Sequence, residues 1–271
     1  MATTTTTTLP ALVLVPGMSS LAPLIYRPLI TALTSPPHNF PPTAITPVAL
    51  PSVDAIATSA PLQPSGLAVD IAAVRAAITH YLDEGRDVVV IAHSYGGTPS
   101  LYAVGDDLWK HSRQPGGEKA GVLRVLCLCS SLTLPGGTVA GDREEFKQRG
   151  GRVDEGEVVV EKHGEDHFVI PTGFENVWMP DVADQEFRGS LRPSPLSTVM
   201  TPTPEVDVGL WKISYLITRG DLAMPEGLMT WLVERAREHG AEVETKTIES
   251  GHFVQISHAE EVAEWVSQIV R

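Results

Sequence analysis

The stretch Val88-Val89-Val90-Ile91-Ala92-His93-Ser94-Tyr95-Gly96-Gly97 decides how this chain is read. A short β-branched run drives into a small-x-Ser-x-Gly turn, and a helical pattern follows at once. In such a strand–turn–helix the serine occupies a sharp, strained bend, and small residues two before and two after it leave room for the backbone. Its hydroxyl then projects beyond the carboxyl edge of the sheet, where the helix N-terminus favours developing negative charge. Ala92 and Gly96 hold the small positions, with Gly97 behind. Ala92 stands where glycine is usual; its single methyl makes it a tolerated variant. Ser94 also has a plainer reading, as the N-cap of the helix that follows.

Outward from this turn the chain alternates strands and helices. Strands are expected at Ala11 to Val15, near Ala44 to Leu50, at Asp87 to Ala92 and at Val122 to Cys129. Helices are expected from about Leu24 to Leu33, from Gly66 to Asp83 with Ser65 as N-cap, and from Tyr95 to Trp109. The Val122 run is continuously apolar, the pattern of a parallel strand covered on both faces. Between residues 131 and 208 prolines and glycines are frequent and long periodicity is missing, which reads as an inserted cap or lid. Within it, Glu144 to Arg149 and Asp181 to Phe187 suggest short helices, and Glu157 to Lys162 a small strand or loop edge. Regular order resumes with a strand over Trp211 to Thr218, a helix over Glu226 to His239, a strand over Glu242 to Ile248 and a closing helix over His258 to Ile269. The expected architecture is a doubly wound, mostly parallel α/β sheet, its core in residues 1–130 and 209–271, with ligands beyond the carboxyl ends of the strands.

A serine hydroxyl is a weak nucleophile near neutral pH, so a base must take its proton and a carboxylate must orient that base. The order for this architecture is Ser, then Asp or Glu, then His, each at the end of a strand. Arg219-Gly220-Asp221 ends one late strand and Glu249-Ser250-Gly251-His252-Phe253 the last. Singly, Asp221 is equally a helix cap or turn residue, and His252 equally a surface histidine. Together with Ser94 they form a catalytic set. His258 is the rival base and reads better as a helix start; the earlier strand ends in Ser130 and Ser131, not in an acid. Charge on a carbonyl oxygen also needs preplaced N–H donors, contributing about 3 kcal/mol each. The Tyr95 amide supplies one, and the Met18 amide in Pro16-Gly17-Met18-Ser19-Ser20 the other, unless Pro-Gly is merely a tight turn. Ser19 and Ser20 lie where a hydroxyl would reach the substrate, and Phe168, Phe174, Trp178 and Met179 line an apolar pocket or form the insertion's own core. His163-Gly164-Glu165-Asp166-His167 has two histidines four apart, but Gly164 argues against a rigid helix, so this is read as solvated loop, with no metal.

The 271 residues carry a formal net charge of −13 and are 42% apolar, enough for one sizeable core with an insertion or for two small domains. Without a block of Lys or Arg, neither nucleic acid nor an anionic membrane surface is an expected partner; a small-molecule substrate is. Assembly is left open, a homodimer included. Cys127 and Cys129 are the only cysteines and share one face of an extended strand, poorly placed to bond each other, which reads as a reducing, cytoplasmic setting. Met-Ala followed by Thr3 to Thr8 has neither the basic region nor the apolar core of a signal peptide and reads as a frayed tail.

Val15-Pro16-Gly17-Met18, Ala92-His93-Ser94-Tyr95-Gly96-Gly97, Gly220-Asp221 and Gly251-His252-Phe253 together resemble the α/β-hydrolase fold superfamily across nearly the whole chain. The closing segment Ser250 to His258 is similar to the histidine loop of its compact members, among them plant methyl-ester esterases, the hydroxynitrile lyases related to them, and small fungal hydrolases. The resemblance implies Ser94 as nucleophile, His252 as base and Asp221 as orienting acid, under a cap between the strands ending at Cys129 and starting near Trp211. Pro16 departs from the histidine that many relatives carry before the glycine. The expected activity is hydrolysis of a small to medium apolar ester, thioester or lactone, with no cofactor. A lyase, cyclase or acyltransferase using the same residues, and an idle ligand-binding receptor on the same fold, are the alternatives.

Overall fold

In the computed structural model the Val88–His93 run is strand β3 of a six-stranded sheet. The described residues are 9–53, 66–113, 119–153, 158–163, 166–172, 182, 185–188 and 191–270. The other strands of this sheet are β1 (Ala11–Val15), β2 (Ile45–Pro47), β4 (Val122–Leu128), β8 (Lys212–Thr218) and β9 (Glu242–Ile248). Their order is β2-β1-β3-β4-β8-β9 and every pairing is parallel. Helices cover both faces: α1 (Arg27–Thr34), α2 (Leu67–Asp83), α3 (Gly97–Val104), α5 (Glu226–Glu238) and α6 (Ala259–Val270), with α4 (Val139–Gln148) lying between β4 and β8.

Strand alternation divides the apolar side chains into two cores. Val13, Val15, Val90 and Cys127 pack with Leu67, Val74 and Ile78 of α2 and Leu228 and Leu232 of α5. Leu12, Leu14, Ile91 and Leu126 face the other way, onto Leu29 and Leu33 of α1 and Val262 and Val266 of α6. Because β1, β3, β4 and β8 are buried on both sides, their carboxyl ends are held rigidly, and the loops leaving them inherit that precision.

Several boundaries differ from expectation for local reasons. The helix expected over Leu24 to Leu33 is split into Ala22–Ile25 and α1, since Pro28 has no N–H to continue the first and suits the first turn of the second. The helix after Ser94 ends at Val104 rather than Trp109, stopped by Gly105 at φ 55°. Helix α4 starts five residues ahead of the expected Glu144, because the Thr138 hydroxyl accepts the Gly141 N–H at 2.9 Å. The strand expected to Leu50 stops at Pro47. Gly66 is the N-cap of α2, the expected Ser65 cap lying outside the described residues.

Between β4 and β8 the chain builds a small antiparallel sheet, β5 (Val158–His163), β6 (Asp166–Pro171) and β7 (Ser194–Pro195), in the order β5-β6-β7. Of the segment read as solvated loop, His163 pairs with Asp166 and His167 with Lys162, so these three residues belong to strands; Gly164 and Glu165 lie outside the described residues. Of the helix expected over Asp181 to Phe187, Gln185–Arg188 is helical. Among the described residues no helix is long and apolar enough to cross a membrane.

Candidate active site

Ser94 leaves the end of β3 at φ 53°, a left-handed conformation that a serine adopts only under constraint. The constraint comes from both sides. The Ser130 hydroxyl donates to the Ser94 carbonyl at 2.6 Å and the Ser131 N–H to the same oxygen at 2.9 Å. The serines at the end of β4, which carry no acid, therefore brace the turn. On the other side, a Cβ on Gly96 would come within 2.6 Å of the Pro16 carbonyl oxygen, so only glycine lets the loop after β1 lie this close. Ala92, by contrast, is fully buried in register with Val15 and Cys127, where its methyl fits.

The loops after β8 and β9 bring the other two side chains to Ser94. His252 Nε2 lies 2.9 Å from Ser94 Oγ, and His252 Nδ1 lies 2.7 Å from Asp221 Oδ2. Asp221 is itself fixed: Oδ1 accepts the Met224 N–H at 2.7 Å, and Oδ2 accepts the Thr218 hydroxyl at 3.1 Å. A carboxylate that only accepts compels Nδ1 to carry the proton, which leaves Nε2 as the acceptor facing the serine hydroxyl. His252 and Asp221 are 1% and 2% exposed, so this chain of polar contacts runs through a low-dielectric interior where it is strengthened. His258 is engaged elsewhere, with its Nδ1 2.9 Å from the Ser257 hydroxyl.

Sequence reasoning passed over His93. Its Nε2–H donates to the His252 carbonyl at 2.8 Å, its ring centre lies 4.7 Å from that of His252, and Cys129 Sγ donates to the same carbonyl at 3.2 Å. Burial, and then the neighbouring His252, hold the His93 ring far below the usual histidine range, so it is neutral. The Ser94 turn and the loop carrying His252 are thus tied through a backbone oxygen. Ligand atoms of His93, Cys129 and His252 fall within 4.8 Å of one another. Both ring nitrogens of His252 are already engaged, however, which suits proton transfer rather than metal ligation.

The loop after β1 closes the site from above. A Cβ on Gly17 would lie 2.8 Å from Ser94 Cβ and 3.1 Å from His93 Nδ1, so the backbone passes directly over the hydroxyl-bearing turn. Met18 and Tyr95 both border the cavity there, and neither backbone N–H donates to another described residue. Tyr95 is anchored at its far end, its hydroxyl donating to Asp70 Oδ2 at 2.9 Å; burial raises the Asp70 carboxyl above its ordinary value. Ser19 and Ser20 also border the cavity, but their hydroxyls are turned to Ser194 and to the Met18 carbonyl.

The cavity over Ser94 holds about 440 Å³. Beyond the polar end its walls are largely aliphatic, with Val139, Val153, Val169, Leu196, Val199 and Leu228 prominent, interrupted by Asp142, Arg143 and Lys147 of α4. Phe168, expected among them, is not: Val169 and Pro171 face the cavity and alternation turns the buried Phe168 to the opposite side of β6. Phe174, Trp178 and Met179 lie outside the described residues.

A parallel sheet wound on both faces, with a Ser–His–Asp chain at the carboxyl ends of β3, β9 and β8, is the arrangement of the α/β-hydrolase class. The chain belongs to the alpha/beta hydrolase family, whose model matches residues 12–265. It is 26% identical over 267 residues to "Probable hydrolase R7" of Phoma sp., covering 97% of this chain and 98% of that one. It is 28% identical over 219 residues to "Alpha/beta hydrolase nvfD" of Aspergillus novofumigatus, covering 80% of each. Among solved structures, polyneuridine aldehyde esterase superposes with a TM-score of 0.72 at 16% identity, covering 97% of this chain and all (100%) of that one.

Proposed function

We propose that this protein is a serine hydrolase that cleaves a small to medium apolar carboxylic ester, thioester or lactone through an acyl-enzyme. The observation that carries this reading is the unbroken contact chain from Ser94 Oγ through His252 to Asp221, 2.9 and 2.7 Å in length, at the floor of an aliphatic cavity. His252 takes the Ser94 proton as Oγ attacks the carbonyl carbon, and Asp221 stabilises the imidazolium that forms. The Met18 and Tyr95 amides hold the oxyanion. His252 then protonates the leaving group, and water, deprotonated by the same ring, releases the acid and restores Ser94. No cofactor takes part. The aliphatic walls match the apolar part of such a substrate, at a volume within the range of small-ligand sites.

Steady-state hydrolysis of p-nitrophenyl butyrate by the protein and by Ser94→Ala tests the reading. Turnover disappears in the variant while its thermal transition is retained, and a fluorophosphonate labels Ser94 alone. Hydrolysis undiminished in Ser94→Ala removes Ser94 from the reaction. Label from heavy-oxygen water entering the acid product separates hydrolysis from acyl transfer or lysis.

A further inference from the structure

Ser19 follows Met18 directly and sits at φ 66°, a conformation that costs a serine about 1–2 kcal/mol. What holds it lies 175 residues away, in the antiparallel insert. Ser194, the first residue of β7, is fully buried, and its Oγ accepts the Ser19 N–H at 2.9 Å and the Ser19 hydroxyl at 3.1 Å. The Arg192 N–H donates to the Ser19 carbonyl at 2.7 Å, and Ser20 pairs with Leu191 across an isolated antiparallel bridge. Ser194 is in turn registered against Val169 of β6, the strand that presents Val169 and Pro171 to the cavity.

We infer that Ser194 is a positioning residue for the reaction, its hydroxyl oxygen holding Ser19 in the left-handed conformation that aims the Met18 N–H at the substrate oxygen. The inference rests on the reading of Ser94 and Met18 proposed above. Without the Ser194 oxygen, Ser19 loses the partner of its N–H and of its hydroxyl together. Its far side stays tied through Arg192 and Leu191, so relaxation of φ turns the Met18–Ser19 peptide and carries the Met18 amide with it. The strand that shapes the cavity thereby also sets the oxyanion site, and the site is complete only while the insert is seated.

The test uses Ser194→Ala, Ser194→Cys and Ser194→Thr in the full chain, with p-nitrophenyl butyrate turnover, inhibition by an alkyl trifluoromethyl ketone, inhibition by butyrate, and thermal melting. In Ser194→Ala kcat falls about 10- to 100-fold with little change in KM, less than the ~10²–10³ of outright donor loss. Affinity for the ketone, whose adduct bears the oxyanion, weakens in parallel, while that for butyrate does not. Ser194→Thr, which keeps the acceptor, retains activity, and Ser194→Cys, a near-isostere with a weaker acceptor, falls between. The inference is overturned by unchanged kcat and ketone affinity in Ser194→Ala. It is also overturned if losses follow melting temperature alone and Ser194→Thr is no better than Ser194→Ala. Ser94→Ala run alongside separates the two readings: turnover surviving there overturns the site assignment itself, whereas turnover lost there and normal in Ser194→Ala overturns the role of Ser194 only.

Discussion

Gly17→Ala places one methyl group against the centre of the site. The new Cβ would lie 2.8 Å from Ser94 Cβ, about 0.7 Å inside the ~3.5 Å at which carbon atoms rest. Ser94 has little freedom to retreat, because Ser130 and Ser131 hold its carbonyl at 2.6 and 2.9 Å. The loop after β1 must therefore move, and the Met18 amide moves with it. A displacement of that size stretches a hydrogen bond of about 2.9 Å to roughly 3.6 Å, beyond useful length. The effect approaches deletion of one oxyanion donor, a loss of about 10²–10³ in kcat. Stability suffers less, by about 1–3 kcal/mol for an overpacked position. Steady-state kinetics on p-nitrophenyl butyrate, with thermal melting of the same preparation, measures both. A folded Gly17→Ala protein with normal kcat would refute the claim that this backbone supplies the oxyanion donor.

Three further perturbations probe the same geometry. Asp221→Asn can offer an N–H to His252 Nδ1 and so stabilise the wrong tautomer; kcat should fall about 10⁴-fold with the fold intact, and a loss of tenfold or less would contradict the orienting role. His93 is held neutral far below its ordinary value near 6.5. As pH falls through that value the unfolded chain gains a proton that the buried ring refuses, so stability drops by about 1.4 kcal/mol per pH unit from this group. His93→Gln keeps a donor for the His252 carbonyl but does not titrate, so urea unfolding below pH 6.5 should show a shallower pH slope than in the unaltered protein; parallel slopes would count against a buried neutral ring. Gly96→Ala sets a Cβ 2.6 and 2.7 Å from the Pro16 and Val15 carbonyl oxygens, both backbone, and should cost on the order of 3 kcal/mol by the same assay.

The central sheet was legible because β1, β3, β4 and β8 are short, mainly apolar runs ended by turn residues; the mostly polar edge strand β9, with Val243 and Ile248 buried, also begins and ends at the residues expected, Glu242 and Ile248. The convergence of Ser94, Asp221 and His252 was legible for a related reason: in a parallel sheet every carboxyl end lies on one rim, so chain order and strand ends suffice to place side chains together. The insert was legible only in part: its existence, the helix over Val139–Gln148 and the strand Val158–His163 fall near the expected places, but its remaining strands do not follow from the sequence. Its β6 carries charged and apolar residues in an order that reads equally as loop, and β7 is two residues long, held by pairing rather than by propensity. Ser194 has no local signal, since its role depends on a hydrogen bond spanning 175 residues. His93 sits inside the motif, but its partner is a backbone carbonyl, which no side-chain pattern announces.

The non-glycine residues with positive φ show where the fold concentrates its strain. Among the described residues there are four, Ser19, Asn39, Ser94 and Cys129, and three of them follow the carboxyl ends of β1, β3 and β4. Each costs of order 1–3 kcal/mol and persists only where surrounding structure overdetermines it. Here the surroundings are the three adjacent strands, with an added clamp at each point: Ser194 on Ser19, Ser130 and Ser131 on Ser94, and the Cys129 thiol on the His252 carbonyl. Ser130, Ser131, His93 and Cys129 tie the Ser94 turn to the end of β4 and to the loop carrying His252, while Ser194 ties the loop after β1 to the antiparallel insert. On the proposed reading, a site braced in this way would meet a developing oxyanion with dipoles already in place, leaving little reorganisation for the moment of reaction.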